Sequence, residues 1–462
     1  MNSTQPSTTW IRQPTAAFTA NDLDAGAGVV VRDGRIVELV GMGKEPATPA
    51  DRVFDASGKV LLPGLVNGHH HFYQTLTRAY PSALNKPLFC WLKALYPVWA
   101  NLTEEAVAVS TRLALAELML SGCTTASDHH YLFSPALTRA IDVQAEVAEA
   151  LGVRVVLTRG SMSLSVDDGG LPPRTVTEAE PVILAESERL IRRYHDAAPH
   201  AMCQIALAPC SPFSVTRELM RETAELARVH GVRLHTHLAE TRDENDFCVA
   251  KFGMRPLDYL EDAHWLADDV WLAHGIHFTQ GEIERLGAAG VGVCHCPSSN
   301  MVLASGICPV NDLLSAGARV GLGVDGSASN DSSNLMQEVR QALLIGRLRY
   351  GAEPFTHQSV LRLGTRGGAD LLGRPELGEL RPGAAADVAL FDLDELRFSG
   401  HGDPLAALVL CGASRVSDLM VAGVWRVRGG ELQGADMDAL MHEHRRIAGS
   451  LIGEQAHAAL SP

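Results

Sequence analysis

No stretch of this 462-residue chain runs through 18 apolar residues, so nothing in it reads as a membrane span. Basic charge is scarce as well: 39 Lys and Arg stand against 54 Asp and Glu, a net charge of −15. That balance argues against duplex nucleic acid or an anionic membrane surface as a partner. The opening, MNSTQPSTTWIRQPTAAF, has neither a basic start nor an apolar core, and no signal peptide is expected. A Gly-rich phosphate fingerprint after the first strand is missing, which weighs against a doubly wound dinucleotide-binding sheet. The nine cysteines are odd in number and spread through apolar segments. They predict free thiols in a reducing cytoplasm.

What is present is a large apolar fraction, 46 %, enough for a sizeable core, on a chain long enough for one large and one smaller domain. Residues 28–62 are short Val- and Ile-rich runs broken by Asp33-Gly34 and Ser57-Gly58, a hairpin pattern. The same grammar returns at 383–394 and 416–432. Neither piece buries a good core alone, so the two chain ends are expected to pair into one β-sandwich domain, residues 1–66 with 371–462. Between them, short apolar runs end in reactive residues: TTASDHH, QIALAPCSP, VRLHTHLAE, VWLAHGIH, VGVCHCPSSN and VGLGVDGSASN. Helical patterns separate them, as in 102–122 and 214–231. This alternation predicts an α/β fold, a (β/α)8 TIM barrel over 67–370, with the active site at the C-terminal strand ends.

Three consecutive histidines, His69, His70 and His71, follow the first run. Strand alternation puts His69 and His71 on one face and turns His70 away. A pair of imidazoles at that spacing suits a divalent metal. Later strand ends add His235 and His237 on one face, Glu240, His274 and Asp325. Neutral imidazoles plus one carboxylate fit zinc or iron(II).

Taken together, PGLVNGHHH, HTHLAE, AHG and GLGVDGSASN resemble the amidohydrolase superfamily, in its branch of cytosine, guanine, S-adenosylhomocysteine and triazine aminohydrolases. The resemblance implies that His69, His71, His237 and Asp325 hold the metal. It also implies that Glu240 shuttles protons, His274 polarises the attacked centre and Asp325 accepts a proton from water. Binuclear members bridge two metals with a lysine at the end of strand four. The five lysines here are Lys44, Lys59, Lys86, Lys93 and Lys251, none of them near that strand. One divalent metal per chain is therefore expected, zinc first and iron second.

Gln74 follows His71 by three, and its amide can read the edge of a flat heterocycle. It resembles a glutamine of guanine deaminases, but the arginine those enzymes carry after strand four is replaced here by Cys210, Ser211 and Pro212. The loop 158–176, expected beside the active site, together with HHHFYQTLTRA and SDHHYLF, resembles members acting on oxidised purines, hydroxytriazines and isoxanthopterin. This implies hydrolytic deamination of a free base, 8-oxoguanine to urate and ammonia. Guanine, isoxanthopterin and hydroxytriazines are the alternatives, and a cyclic amide hydrolase is a more distant one. The H-x-E…P-C-x-x-C signature of nucleic-acid deaminases is absent. Tyr73, Trp99 and Tyr131 are candidate pocket walls. Cys296, Ser298, Ser299 and Asn300 are candidate lining, and His129 and His130, ending strand two, are candidates of which one could face the site. Cys294-His295-Cys296 lacks a second cysteine pair and is not expected to bind zinc. A small-molecule base is the expected partner, with no nucleic acid or membrane, in a homo-oligomer of two or more chains.

Overall fold

The structure, a computed structural model, describes residues 7–458. The first six residues of the N-terminal stretch, and residues 459–462 of the expected second sandwich segment, lie outside the described residues. Eight strands form a parallel sheet in chain order: Leu65–Asn67, Cys123–His130, Arg154–Ser161, Cys203–Pro209, Leu234–Leu238, Val270–His274, Gly292–His295 and Arg319–Leu322. The eighth strand returns to the first. Gly68 N–H donates to the Leu322 carbonyl (2.9 Å), and Asp325 N–H donates to the His69 carbonyl (3.1 Å). The sheet is thus a barrel, the fold expected from the alternation of buried strands and helices.

The helices outside it form where the sequence signals placed them. Glu104–Leu120 is capped by Thr103, whose side chain accepts from Ala106 N–H. Arg217–His230 is capped by Thr216 and ends at Gly231, which takes the left-handed conformation (φ 66°). Each buries one face against the strands. The strands are largely buried on both faces, as an eight-residue buried run such as Cys123–His130 illustrates.

The chain ends build two further sheets. One holds Thr9–Arg12, Gly28–Arg32, Arg35–Val40 and Arg52–Asp55. The other joins Ala16–Ala17 and Lys59–Pro63 to Val388–Asp392, Asp418–Val421, Val424–Arg428 and Glu431–Leu432. Lys59–Pro63 pairs antiparallel with Val388–Asp392, so neither end completes this sheet alone. Ile11, Val29, Val31 and Ile36 of one sheet meet Leu61, Val388, Leu390 and Met420 of the other in one core. Each such fully buried Val or Leu contributes about 1.5–3 kcal/mol of transfer free energy.

Two sequence expectations are corrected here. Asp33-Gly34 is a hairpin turn, both residues at positive φ. Ser57-Gly58 is not, because the strands it joins lie in different sheets. Asp55 accepts from Ser57 N–H and turns the chain from one layer to the other. The boundary drawn at 66/67 falls inside the first barrel strand, which starts at Leu65. The switch occurs at Gly64, where a Cβ would stand 2.1 Å from the Thr124 side chain. The C-terminal helix Met437–Ala458 also leaves the sandwich and returns to the barrel, where His444 Nε2 meets Thr75 Oγ1 (3.1 Å).

Candidate active site

At the C-terminal mouth of the barrel, three imidazoles and one carboxylate converge. His69, His70 and His71 follow the first strand and lead into a short 3-10 helix, Phe72–Thr77. As alternation requires, His70 turns away: its Nδ1 accepts from His71 N–H (2.7 Å) and its Nε2 meets Ser333 Oγ (2.9 Å). His71 Nε2 lies 3.2 Å from His237 Nε2 and 3.3 Å from Asp325 Oδ1, and His69 Nε2 lies 3.2 Å from that same oxygen.

Hydrogen bonds on the far side of each ring fix what these nitrogens carry. His71 Nδ1 faces the His129 carbonyl (2.6 Å) and His237 Nδ1 faces the Cys210 carbonyl (2.7 Å). A carbonyl only accepts, so both Nδ1 atoms carry a proton, and in the neutral ring each Nε2 then presents a lone pair. Two bare nitrogens 3.2 Å apart repel unless a cation lies between them. The His69, His71 and Asp325 ligand atoms lie within 4.8 Å of one another. Burial holds His69 and His237 well below the usual imidazole range, so both are neutral. Asp325 is held well below the usual carboxylate range in spite of its burial, so the carboxyl is ionised. This donor set fits a divalent zinc- or iron-type cation.

Beside it stand Glu240 and His274. Glu240 Oε2 is 3.6 Å from His274 Nε2, and its other oxygen accepts from Ser305 Oγ (3.3 Å). His274 Nδ1 meets Asn300 Oδ1 (2.9 Å), and its Nε2 is 3.9 Å from Asp325 Oδ2. Burial raises the Glu240 carboxyl's affinity for its proton. Burial lowers that of His274, but Glu240 and Asp325 outweigh it, so the imidazole also holds its proton more firmly than usual. Ala239, His274 and Asp325 all sit at left-handed φ (54°, 72° and 61°). Each such residue costs about 1–3 kcal/mol, a strain that surrounding contacts must hold in place. Glu244 is one such contact, accepting from Ala239 N–H (3.0 Å) and Glu240 N–H (2.9 Å).

Gln74 is buried and lines the cleft with His71, Tyr131, Cys210 and Ser329. Its Oε1 accepts from Ala328 N–H (3.3 Å). Gly326 permits this approach, since a Cβ there would lie 1.9 Å from Oε1. Burial pushes the Cys210 thiol up to about 12, so it is a neutral wall.

The walls differ from expectation in several places. Tyr131 lines the cleft, but Tyr73 and Trp99 stand behind it, Trp99 Nε1–H donating to Thr77 Oγ1 (3.2 Å). The apolar wall that the sequence did not reveal is one face of helix Leu88–Trp99, Leu88, Trp91, Leu92 and Tyr96, together with Phe213 and Leu303. Loop 158–176 does not reach the cleft. Ser163 and Leu164 N–H groups donate to the Ser214 carbonyl, so the loop braces the turn that supplies Cys210 and Phe213. Ser299 and Asn300 act through Asp325 and His274, Ser299 Oγ donating to Asp325 Oδ2 (2.5 Å). Cys296 packs instead with Cys294 and Trp271 in a core that includes barrel-strand residues, and Ser298 N–H donates to Glu338. Of the strand-two pair, His129 joins the imidazole cluster, stacked on His237 at 4.8 Å, while His130 turns to the Leu132 carbonyl. A wider hollow of about 580 Å³ near Gly152 and Arg426 lies at the opposite end of the barrel, away from these groups.

Residues 60–426 match the family described as Amidohydrolase family. The chain is 64 % identical over 447 residues to 8-oxoguanine deaminase of Pseudomonas aeruginosa, covering 96 % of this chain and 99 % of that one. It is 39 % identical over 434 residues to hydroxydechloroatrazine ethylaminohydrolase of Pseudomonas sp. strain ADP, covering 89 % and 88 %. The crystal structure of an atrazine chlorohydrolase from Arthrobacter aurescens TC1, complexed with zinc, superposes with a TM-score of 0.89 at 32 % identity, covering 95 % and 100 %.

Proposed function

The chain belongs to the amidohydrolase family, and from that premise we propose that it is a metal-dependent hydrolytic deaminase converting 8-oxoguanine and water to urate and ammonia. The reaction class is carried by one observation: imidazole nitrogens and a carboxylate converge beside Glu240 and His274 in a cleft with an apolar wall. The substrate rests on the 64 % identical relative.

His69, His71, His237 and Asp325 would hold one divalent cation, zinc or iron. Such a cation, when bound, brings the pKa of a water to about 7 and supplies a nucleophile at neutral pH. No lysine stands at the end of strand four to bridge a second ion. Asp325 accepts a proton from the attacking water. Glu240 delivers its proton to a ring nitrogen next to the amino-bearing carbon, and His274 stabilises the oxygen that develops charge there. With Oε1 engaged by Ala328, Gln74 keeps an Nε2–H for an acceptor on the ring edge. Trp91, Leu92, Tyr96 and Phe213 offer the ring an apolar wall. A second proton, carried by Glu240 or Asp325, lets ammonia leave. The nine unpaired thiols accord with a reducing cytoplasm, and we expect the chain to work as a homo-oligomer.

The test is ammonia release from metal-loaded protein given 8-oxoguanine, guanine, isoxanthopterin and hydroxytriazines. Highest kcat/KM on 8-oxoguanine, with urate formed, is the expected result. Preference for another of the four moves the substrate but keeps the deaminase, and no ammonia from any of them overturns the reading.

A further inference from the structure

His235 is wholly buried, two residues before His237 and one layer deeper in the barrel. Its Nδ1 lies 2.8 Å from the Trp271 carbonyl, and its ring stacks on the Trp271 indole at 4.4 Å and 15°. The carbonyl only accepts, so the proton sits on Nδ1 and Nε2 carries a lone pair. That lone pair lies 2.8 Å from His69 Nδ1, which must then be the donor. His69 Nε2 is left bare, facing Asp325 Oδ1 at 3.2 Å and making no hydrogen bond. The opposite tautomer of His69 would set two lone pairs against each other 2.8 Å apart. Trp271 holds the other end too, since its Nε1–H donates to the carbonyl of Gly68, the residue before His69 (3.1 Å).

We infer that His235 is the positioning residue that selects the cation-binding tautomer of His69. This rests on the reading of His69 as a ligand. The three imidazoles are not equivalent in this respect. His71 and His237 donate to backbone carbonyls, which no side-chain replacement removes. His69 alone donates to a side chain, so its tautomer alone depends on one replaceable group. Without that acceptor, His69 is free to put its proton on Nε2 and donate to Asp325, closing the position a cation would take.

The experiment measures zinc affinity by chelator competition, and the melting temperature of the metal-free protein, for His235→Phe and His235→Gln. Phenylalanine keeps the stack on Trp271 and removes the acceptor; glutamine returns an acceptor near the place of Nε2. Loss of an outer hydrogen-bond partner typically weakens a metal site by about 10–100-fold, and that loss is expected for Phe, with Gln within about threefold of the unchanged protein. The metal-free melting temperature stays close to that of the parent in both. Unchanged affinity in His235→Phe overturns the inference, and so does an equal loss in Phe and Gln, which marks packing rather than tautomer choice. If Phe does not fold, His235→Leu against His235→Gln carries the same comparison. His69→Ala separates the underlying reading: unchanged zinc affinity there removes His69 as a ligand, whatever His235 does.

Discussion

The barrel buries charge at both ends, and the two ends treat it differently. At the bottom, Arg154 and Asp387 tie the third barrel strand to the sandwich. Arg154 Nε and Nη2 each reach an Asp387 oxygen at 3.2 Å, and Nη1 donates to the carbonyls of His200 and Ala201. Asp387 accepts in addition from Ala422 N–H. Both carboxylate oxygens and all three guanidinium nitrogens have partners. At the mouth, His69 Nε2 has none, and His71 and His237 point lone pairs at each other. A complete set of hydrogen bonds marks a joint; a deliberate deficit of protons marks a place for something else. Burial alone does not separate the two.

Breaking the mouth should cost the most activity and the least stability. Glu240→Gln keeps the volume and removes the proposed proton carrier. Turnover should fall by about 10²–10⁴-fold, with metal content by elemental analysis unchanged; near-normal kcat would remove Glu240 from the reaction. Breaking the bottom should do the reverse. Asp387→Ala leaves Arg154 charged and buried, and denaturant unfolding should show a loss of about 3–5 kcal/mol, while kcat of the folded fraction holds. A stability change within error would mean that water reaches Arg154 once its partner is gone.

A third test asks whether completeness, rather than location, decides. Asp128 lies at the mouth end, yet both its oxygens are engaged, by Phe72 N–H (2.6 Å) and Gln144 Nε2–H (2.7 Å). Burial pushes its carboxyl from the ordinary 3.8 up to about 7. Between those values the unfolded chain has lost a proton that the folded chain keeps, so this group's contribution is full below the window and falls as pH rises through it. Asp128→Asn should flatten that part of the melting-temperature profile, the smallest of the three effects. An unaltered slope would mean that Asp128 ionises in the folded protein as it does in the unfolded one.

Much of this contrast could be read before any coordinates. Strand alternation assigned His69 and His71 to one face and His70 to the other, because a period of two holds at a strand's exit as well as within it. The left-handed caps and the Asp33-Gly34 turn are local chemistry and were legible for that reason. What stayed hidden depends on partners distant in sequence. Ser57-Gly58 has the same turn grammar whether the chain folds back or changes sheets. Leu88, Trp91, Leu92 and Tyr96 are spaced as any buried helix face would be. His235 looks like a twin of His237, and only the Trp271 carbonyl, 36 positions onward, sets it apart. Loop 158–176 was polar enough for an active-site loop, but composition does not say which way a loop leans.

The closing stitches of the barrel carry one more consequence. The Asp325 N–H bonds the His69 carbonyl, so the residues that would meet the cation are also the seam between first and last strands. During synthesis the histidine pair leaves the ribosome long before Asp325 exists. Until the eighth strand arrives, the chain has only part of a ligand set and an open sheet edge. Closure of the seam and completion of the cation site are thus one event in time, and a chain truncated before residue 319 should have neither.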